Sequence, residues 1–177
     1  DRYYSLRFGT FSEVDLLELA KHNVIETLAL TDINNTSACL NFIRKSAAYN
    51  IKPVVGIDFR NGATQQYVAL AANNKGFQEL NAFLSYHSQQ KKNIPNDAPA
   101  LSNVFFVYPF EKVLQLDKNV FKNNEFIGVS VEELNKLPFS HYKNFKDKLV
   151  IQQQVTIRNK RDFNAHRLLR AIDKNAL

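Results

Sequence analysis

The chain has 177 residues, of which 45% are hydrophobic and 23% are charged, and its formal net charge is +6. This length can bury the core of one domain, and the composition is ordinary for a globular protein. No apolar run approaches the roughly 20 residues of a membrane-spanning helix and there is no secretory signal, so we expect a cytoplasmic chain without a transmembrane segment. The chain begins at Asp1, contains no methionine and stops within a helical pattern, so we interpret residues 1–177 as a single-domain piece of a longer protein.

The positive charge raises the question of a nucleic-acid partner. Lys91 and Lys92 stand in a polar stretch, and five basic residues gather near the end of the chain: Arg158, Lys160, Arg161, Arg167 and Arg170. These side chains could face phosphates or an acidic partner. A solvated face is the simpler interpretation, because charged runs on globular domains are usually solvent-exposed.

The chain opens with a predicted strand and helix. Residues 3–7 form a first strand or the end of one. Ser12 and Asp15 then have the three-residue spacing of a capping box, which predicts that a helix begins there. The inner face of this helix is predicted to consist of Val14, Leu17 and Ala20.

Residues 27–62 carry the pattern around which the domain is organised. A short apolar run ends at Thr31 and Asp32, which predicts a buried strand. Apolar residues then recur at helical spacing to about Asn50, behind Thr36 or Ser37 as the N-cap. Cys39, the single cysteine, lies on this helix and is interpreted as a small buried side chain rather than a reactive thiol.

A second apolar strand, PVVGIDF, begins at Pro53. Strand, helix and strand at this spacing predict a right-handed βαβ unit with its ligand-facing groups at the carboxyl ends of the strands. Asp32 and Asp58 are both placed at such ends. Either carboxylate could instead cap a loop, with Asp32 accepting hydrogen bonds from the backbone N–H groups of Asn34 and Asn35.

The rest of the chain continues the alternation of strands and helices. Asn61 and Gly62 predict a type I′ hairpin turn, because both central positions of that turn need positive φ. Helices are predicted over residues 74–84, 110–116 and 162–172, and strands over 66–71, 103–108, 125–129 and 149–153. Residues 87–102 are predicted to be a surface loop, Ser130 and Glu133 a capping box, and residues 136–148 a connector. The fold class is therefore α/β.

Several ordered strings resemble the PHP (polymerase and histidinol phosphatase) domain at the amino terminus of bacterial DNA polymerase III alpha subunits. They are YYSLRFGT, ALTDINNTSACLNFIRKSAAYNIKPVVGIDFRNG, LAANNKGFQEL and RDFNAHRLLRAID, whereas residues 87–148 match poorly. The resemblance implies a distorted (βα)7 barrel, complete or incomplete, with mixed strands. It also implies that residues 1–177 are an amino-terminal fragment of a longer polymerase.

An active PHP domain holds up to three metal ions with histidines and carboxylates, which are the ligands that zinc, iron and manganese favour. The resemblance places most of these ligand positions on other residue types here. The T-D-H motif is Thr31-Asp32-Ile33, the glutamate of the third strand is the shorter Asp58, and N-D-x-H becomes Gln153-Gln154-Val155-Thr156. The vestigial positions are Asp1, Asp32, Ile33, Asp58, Gln66, Gln154 and Thr156. None of His22, His87, His141 and His166 has the local spacing of a metal pair.

The resemblance therefore implies a domain without metal or catalysis of its own, which serves as a structural and protein-interaction module. Its partners would be the rest of the polymerase chain, the proofreading exonuclease where it is a separate subunit, and other subunits of the holoenzyme, with the five terminal basic residues as candidate contacts. The full polymerase would extend DNA with magnesium outside this domain. The alternatives are a residual phosphoesterase or 3′–5′ exonuclease that uses Asp1, Asp32 and Asp58, and a nucleic-acid-binding module that depends on charge alone.

Overall fold

The structure, a computed structural model, describes residues 12–152, which fall into two compact units, residues 12–57 and 58–152. Six strands alternate with four α-helices, and the strands lie in the sheet in chain order, β1-β2-β3-β4-β5-β6. The α/β class is thereby confirmed. The predicted strand at residues 3–7 and the predicted helix at residues 162–172 lie outside the described range.

The first unit opens with helix α1, Glu13–His22. The predicted capping box is confirmed, since the Asp15 carboxylate accepts from the Ser12 backbone N–H at 2.9 Å and the Ser12 hydroxyl accepts from the Asp15 N–H at 3.3 Å. The inner face is formed by Leu16, Leu17 and Ala20. Val14 is only half-buried, so its predicted place on that face was wrong and Leu16 takes it.

The βαβ pattern forms as strand β1 (Thr27–Ile33), helix α2 (Cys39–Ser46) and strand β2 (Lys52–Asn61), with a 3-10 turn at Ala47–Tyr49. Strand β2 runs from the first unit into the second. The predicted N-cap was wrong, because Ala38 takes that position without a side-chain bond. Instead, the Asn35 side chain accepts hydrogen bonds from both the backbone and the hydroxyl of Ser37, at 2.8 and 2.7 Å. Cys39 is buried as predicted.

In the second unit the sheet is mixed. Strand β3 (Thr64–Ala71) pairs antiparallel with β4 (Val104–Pro109), and β4 pairs parallel with β5 (Glu125–Val129). The connection from β4 to β5 contains helix α4 (Phe110–Leu116). Strand β6 (Leu149–Ile151) pairs parallel with β5 and directly follows a connection that contains short 3-10 helices.

The hairpin between β2 and β3 forms, but its turn differs from the predicted type I′. Gly62 has a φ of +59°, whereas Asn61 is the last residue of β2 and does not have positive φ. The Asn61 side chain exchanges two hydrogen bonds of 2.8 Å with the backbone of Ile94, one as donor and one as acceptor. The turn therefore lies one position later than predicted.

Helix α3 (Asn74–Gln89) is five residues longer than predicted. Asn73 caps it by accepting from the Gly76 N–H at 3.0 Å. The following segment is not simply a surface loop as predicted, because Ile94 and Ala98 are buried. The core of this unit includes an aromatic cluster in which rings contact one another at centroid distances of 5.4–5.6 Å: Phe59, Tyr67, Phe83, Phe106 and Tyr108.

Only half of the predicted capping box at Ser130 and Glu133 forms. The Glu133 carboxylate accepts from the Ser130 backbone N–H at 2.8 Å, but turns rather than a helix follow. Short 3-10 helices at Leu137–Phe139, His141–Asn144 and Lys146–Lys148 make up the predicted connector. None of the helices in residues 12–152 combines the length and hydropathy needed to cross a membrane.

Candidate functional site

Asp32 lies next to the last residue of β1 and is fully buried. Its backbone forms an isolated antiparallel bridge with Asn35, and Asn34 between them has a φ of +45°. The chain therefore turns back on itself directly after Asp32, in the place where the sequence predicts a capped loop. Hydrogen bonding from the Asp32 carboxylate to the Asn34 and Asn35 N–H groups stays a prediction. Ile33, at the family's histidine position, offers no metal-binding atom.

Asp58 lies within β2 and not at its end as predicted, because the strand continues to Asn61. Its side chain is 3% exposed, and both oxygens are engaged. Oδ2 accepts from Arg60 Nε at 3.0 Å and from Arg60 Nη2 at 2.6 Å, while Oδ1 accepts from Gln65 Nε2 at 2.8 Å. We call these three residues, Asp58, Arg60 and Gln65, the Asp58 clamp.

The Asp58 clamp balances a buried carboxylate with a guanidinium. The Arg60 side chain is itself only 12% exposed, so the pair is largely shielded from water. A metal ion at this carboxylate would meet the positive charge of Arg60 and oxygens already occupied by donors. Arg60 and Gln65 were not among the predicted site residues. Side chains two positions apart on a strand share a face, and this spacing between Asp58 and Arg60 was the available signal.

Gln66 stands where the resemblance places a histidine. It is 2% exposed, and its Nε2 donates to its neighbour Thr64 O at 3.0 Å. No donor in residues 12–152 reaches its Oε1. Its neighbours on the strand contact β2, since Gln65 bonds to Asp58 and the Tyr67 ring contacts that of Phe59.

An open pocket of about 810 Å³ lies beside the carboxyl ends of β4, β5 and β6. We call it the β4–β6 pocket. Three carboxylates and one ammonium group are among its lining residues: Gln65, Pro109, Glu111, Gly128, Ser130, Val131, Glu132, Glu133, Lys136 and Gln152. Lys136 Nζ pairs with Glu111 Oε1 at 3.2 Å, which leaves an excess of negative charge. Such a lining repels anionic phosphate groups.

Gly128 is required at the wall of this pocket. A Cβ at this position would lie 2.0 Å from the Gln152 side-chain oxygen and 2.7 Å from Val107 Cγ1. Since real Cβ atoms do not approach other atoms so closely, Gln152 occupies space that any larger residue at position 128 would take. Gln152 follows directly after β6, and its backbone N–H donates to Val129 O at 2.9 Å.

A second buried carboxylate, Glu125, is the first residue of β5 and is 1% exposed. Its Oε2 accepts from the Lys122 backbone N–H at 3.1 Å. Lys118 Nζ and Lys122 Nζ lie 3.6 and 3.5 Å from its oxygens, longer than good hydrogen bonds. We call Glu125, Lys118 and Lys122 the Glu125 network.

The Glu125 network anchors the loop before β4. Lys118 Nζ pairs with Asp97 Oδ1 at 2.8 Å and holds the pKa of that carboxyl below its usual range. Lys122 Nζ donates to Ala98 O at 3.0 Å, and the Ala98 N–H donates to the buried Tyr108 hydroxyl at 2.7 Å. Burial raises the pKa of Tyr108 to about 12.

Two histidines of the described range make local contacts, whereas His22 is exposed. His87 Nδ1 lies 2.9 Å from Phe83 O, and the His141 ring contacts the tilted Tyr142 ring at a centroid distance of 3.9 Å. No three His, Cys, Asp or Glu side chains between residues 12 and 152 are grouped so that they could hold a metal ion. Together with the Asp58 clamp, this means that the described residues do not fit the metal centre of an active PHP domain. The remaining predicted positions lie outside the described range: Asp1, Gln154, Thr156, His166, Arg158, Lys160, Arg161, Arg167 and Arg170.

Comparison with known proteins identifies the family of the chain. The family model of the PHP domain matches residues 3–129. The chain is 28% identical over 159 residues to the protein named DNA polymerase III subunit alpha from Ureaplasma parvum serovar 3 (strain ATCC 700970). That alignment covers 89% of this chain but only 16% of the relative. The protein described here is therefore a member of the PHP domain family.

Proposed function

We propose that this chain is the PHP domain of a replicative DNA polymerase III alpha subunit, in which it has no catalytic activity of its own and serves as a structural and protein-interaction module. The relationship to an alpha subunit over 89% of the chain supports the parent protein. The Asp58 clamp is the observation that carries the inactivity. It fills the oxygens of a former ligand position with an internal guanidinium and an amide.

The count of metal ligands points the same way. Two or three adjacent divalent ions need several carboxylates and imidazoles to balance and hold them. Ile33 and Gln66 stand at family histidine positions, and neither supplies an imidazole. The negative lining of the β4–β6 pocket would also disfavour a phosphate ester, whose own charge is negative.

In this proposal the full polymerase extends DNA with magnesium held by carboxylates outside residues 1–177, and the PHP domain itself binds no cofactor. The partners of the domain are the rest of the alpha chain and, where it is a separate subunit, the proofreading exonuclease. The basic residues from Arg158 to Arg170 remain candidates for such contacts, and DNA is reached through the full protein.

Elemental analysis combined with a phosphatase assay tests the inactivity. The 177-residue chain is dialysed with manganese or zinc, freed of excess ion, and assayed for bound metal and for hydrolysis of a phosphate diester. We expect neither stoichiometric metal nor turnover above the Asp32→Asn variant. Manganese-dependent hydrolysis that Asp32→Asn abolishes would instead establish the residual phosphoesterase or exonuclease.

A further inference from the structure

The segment that follows β5, residues 130–140, exposes apolar side chains without an evident packing role. Val131 is 60% exposed, Leu134 42% and Phe139 93%. Single exposed apolar residues are common on globular proteins, but an aromatic ring almost fully in water is not. Three such side chains within ten residues are the kind of surface on which a partner is expected to dock.

The backbone of this segment is held by a succession of hydrogen-bonded turns. The Glu133 N–H donates to Ser130 O at 3.1 Å, the Lys136 N–H to Glu133 O at 2.9 Å, and the Phe139 N–H to Lys136 O at 3.2 Å. The Glu133 carboxylate closes the first turn on the Ser130 N–H. The exposed side chains are thus presented from an ordered backbone, which reduces the entropy lost on binding.

Among the described residues, the charge beside this segment is negative. Val131, Glu132, Glu133 and Lys136 line the β4–β6 pocket together with Glu111, and only Lys136 among these is basic. The chain as a whole carries a net charge of +6. This local reversal of sign selects for a cationic partner and against nucleic acid or another anionic ligand.

We propose that residues 130–140 and the adjoining β4–β6 pocket form the docking surface for a basic, apolar segment of a partner protein. A lysine or arginine of that segment enters the pocket between Glu111 and Glu132, and apolar residues next to it cover Val131 and Phe139. The inference rests on the proposed role of the domain as an interaction module, and it names the chemistry of the partner.

Peptide binding tests this surface. Two fluorescent peptides of equal length are titrated with the 177-residue chain, one alternating leucine and arginine and the other leucine and glutamate, and anisotropy is recorded. We expect the basic peptide to bind more tightly, although the net charge of the protein favours the acidic one. The double variant Glu111→Gln/Glu132→Gln and the variant Phe139→Ser should each weaken binding about fivefold.

Matched controls separate the surface from general charge and hydrophobicity. The double control Glu18→Gln/Asp147→Asn also removes two negative charges, and Val120→Ser also removes an apolar side chain that is 81% exposed, but none of these residues belongs to the proposed surface. Both controls should bind the basic peptide like the wild type. Thermal melting confirms that each variant is folded.

Equal binding of the two peptides, or binding insensitive to the Glu111, Glu132 and Phe139 changes, would overturn the proposal. So would self-association that Phe139→Ser abolishes, because the occupant would then be a second copy. Bound metal or phosphodiester turnover would refute the proposed inactivity without changing the peptide result. The two conclusions can therefore fail separately.

Discussion

Two buried carboxylates of the second unit are neutralised in different ways. Asp58 is paired with Arg60, two residues further along the same strand, and the shortest hydrogen bond, from Arg60 Nη2 to Asp58 Oδ2, is 2.6 Å. Glu125 is faced by two lysines at 3.5–3.6 Å and by one backbone N–H. The Asp58 clamp joins residues of one hairpin, whereas the Glu125 network extends to the loop before β4, which it anchors. Burial of a carboxylate alone therefore does not distinguish a former ligand position from a structural anchor, but the identity and distance of the partner do.

The largest expected effect comes from opening the Asp58 clamp. Arg60→Met leaves the buried Asp58 charge without its guanidinium, and we expect the free energy of unfolding to fall by about 3 to 5 kcal/mol in urea denaturation. The double variant Asp58→Asn/Arg60→Met removes the uncompensated charge and should recover much of that loss. If the double variant is as unstable as Arg60→Met alone, then the two residues are not coupled as described.

The Glu125 network should respond less to the same kind of change. Glu125→Gln keeps an oxygen for the Lys122 N–H, and Lys118 keeps its pair with Asp97, so we expect a loss of about 1 kcal/mol. The same urea denaturation experiment measures it. A loss of stability as large as that of Arg60→Met would contradict this ranking. The distance and number of its partners would then not determine how much each buried carboxylate contributes to stability.

The chain pattern predicted regular elements well and side-chain partners poorly. Helix α4 and strand β5 have the predicted bounds, because their apolar spacing decides them locally. The hairpin turn was misplaced by one position, because Asn61 belongs to β2 and its side chain bonds to Ile94, a contact that no local pattern contains. The Ser130–Glu133 capping box was half right, because a cap closes a turn without ensuring that a helix follows.

The candidate site was likewise predicted only in part. The resemblance assigned Ile33 and Gln66 to ligand positions of the family, an assignment that stays a prediction, and it did not predict the side chains that pair with Asp58. Arg60 was missed although its spacing from Asp58 places both on one face of β2. The β4–β6 pocket was missed because its lining residues come together from separate loops and strand ends.

Alkaline pH should destabilise the second unit through tyrosines near the Glu125 network. Burial raises the pKa of Tyr108 to about 12 and also raises that of Tyr67. The pKa of these phenols is higher in the folded state than the unfolded value of about 10. Their contribution to stability is therefore complete below the unfolded pKa and is lost as the pH rises through the folded pKa. Glu125 contributes to the raised pKa of Tyr108, so Glu125→Gln should shift phenolate formation, followed by absorbance, to lower pH. If Glu125→Gln leaves phenolate formation unchanged, Glu125 does not contribute to the raised pKa of Tyr108.

The smallest effect is expected at Gln66, a buried polar side chain where the resemblance places a histidine. Its Oε1 receives no donor from the described part of the chain, and its Nε2 is bonded only at short range to Thr64 O. Gln66→Met removes a poorly satisfied amide while roughly keeping its volume, so the free energy of unfolding should change by less than about 1 kcal/mol. Gln66→Glu is the matched contrast, because it buries a charge without the guanidinium that Asp58 has, and it should be clearly destabilising. A large loss of unfolding free energy in Gln66→Met would show that the amide has a hydrogen-bond partner of its own. The side chain at position 66 would then be satisfied, as Asp58 is.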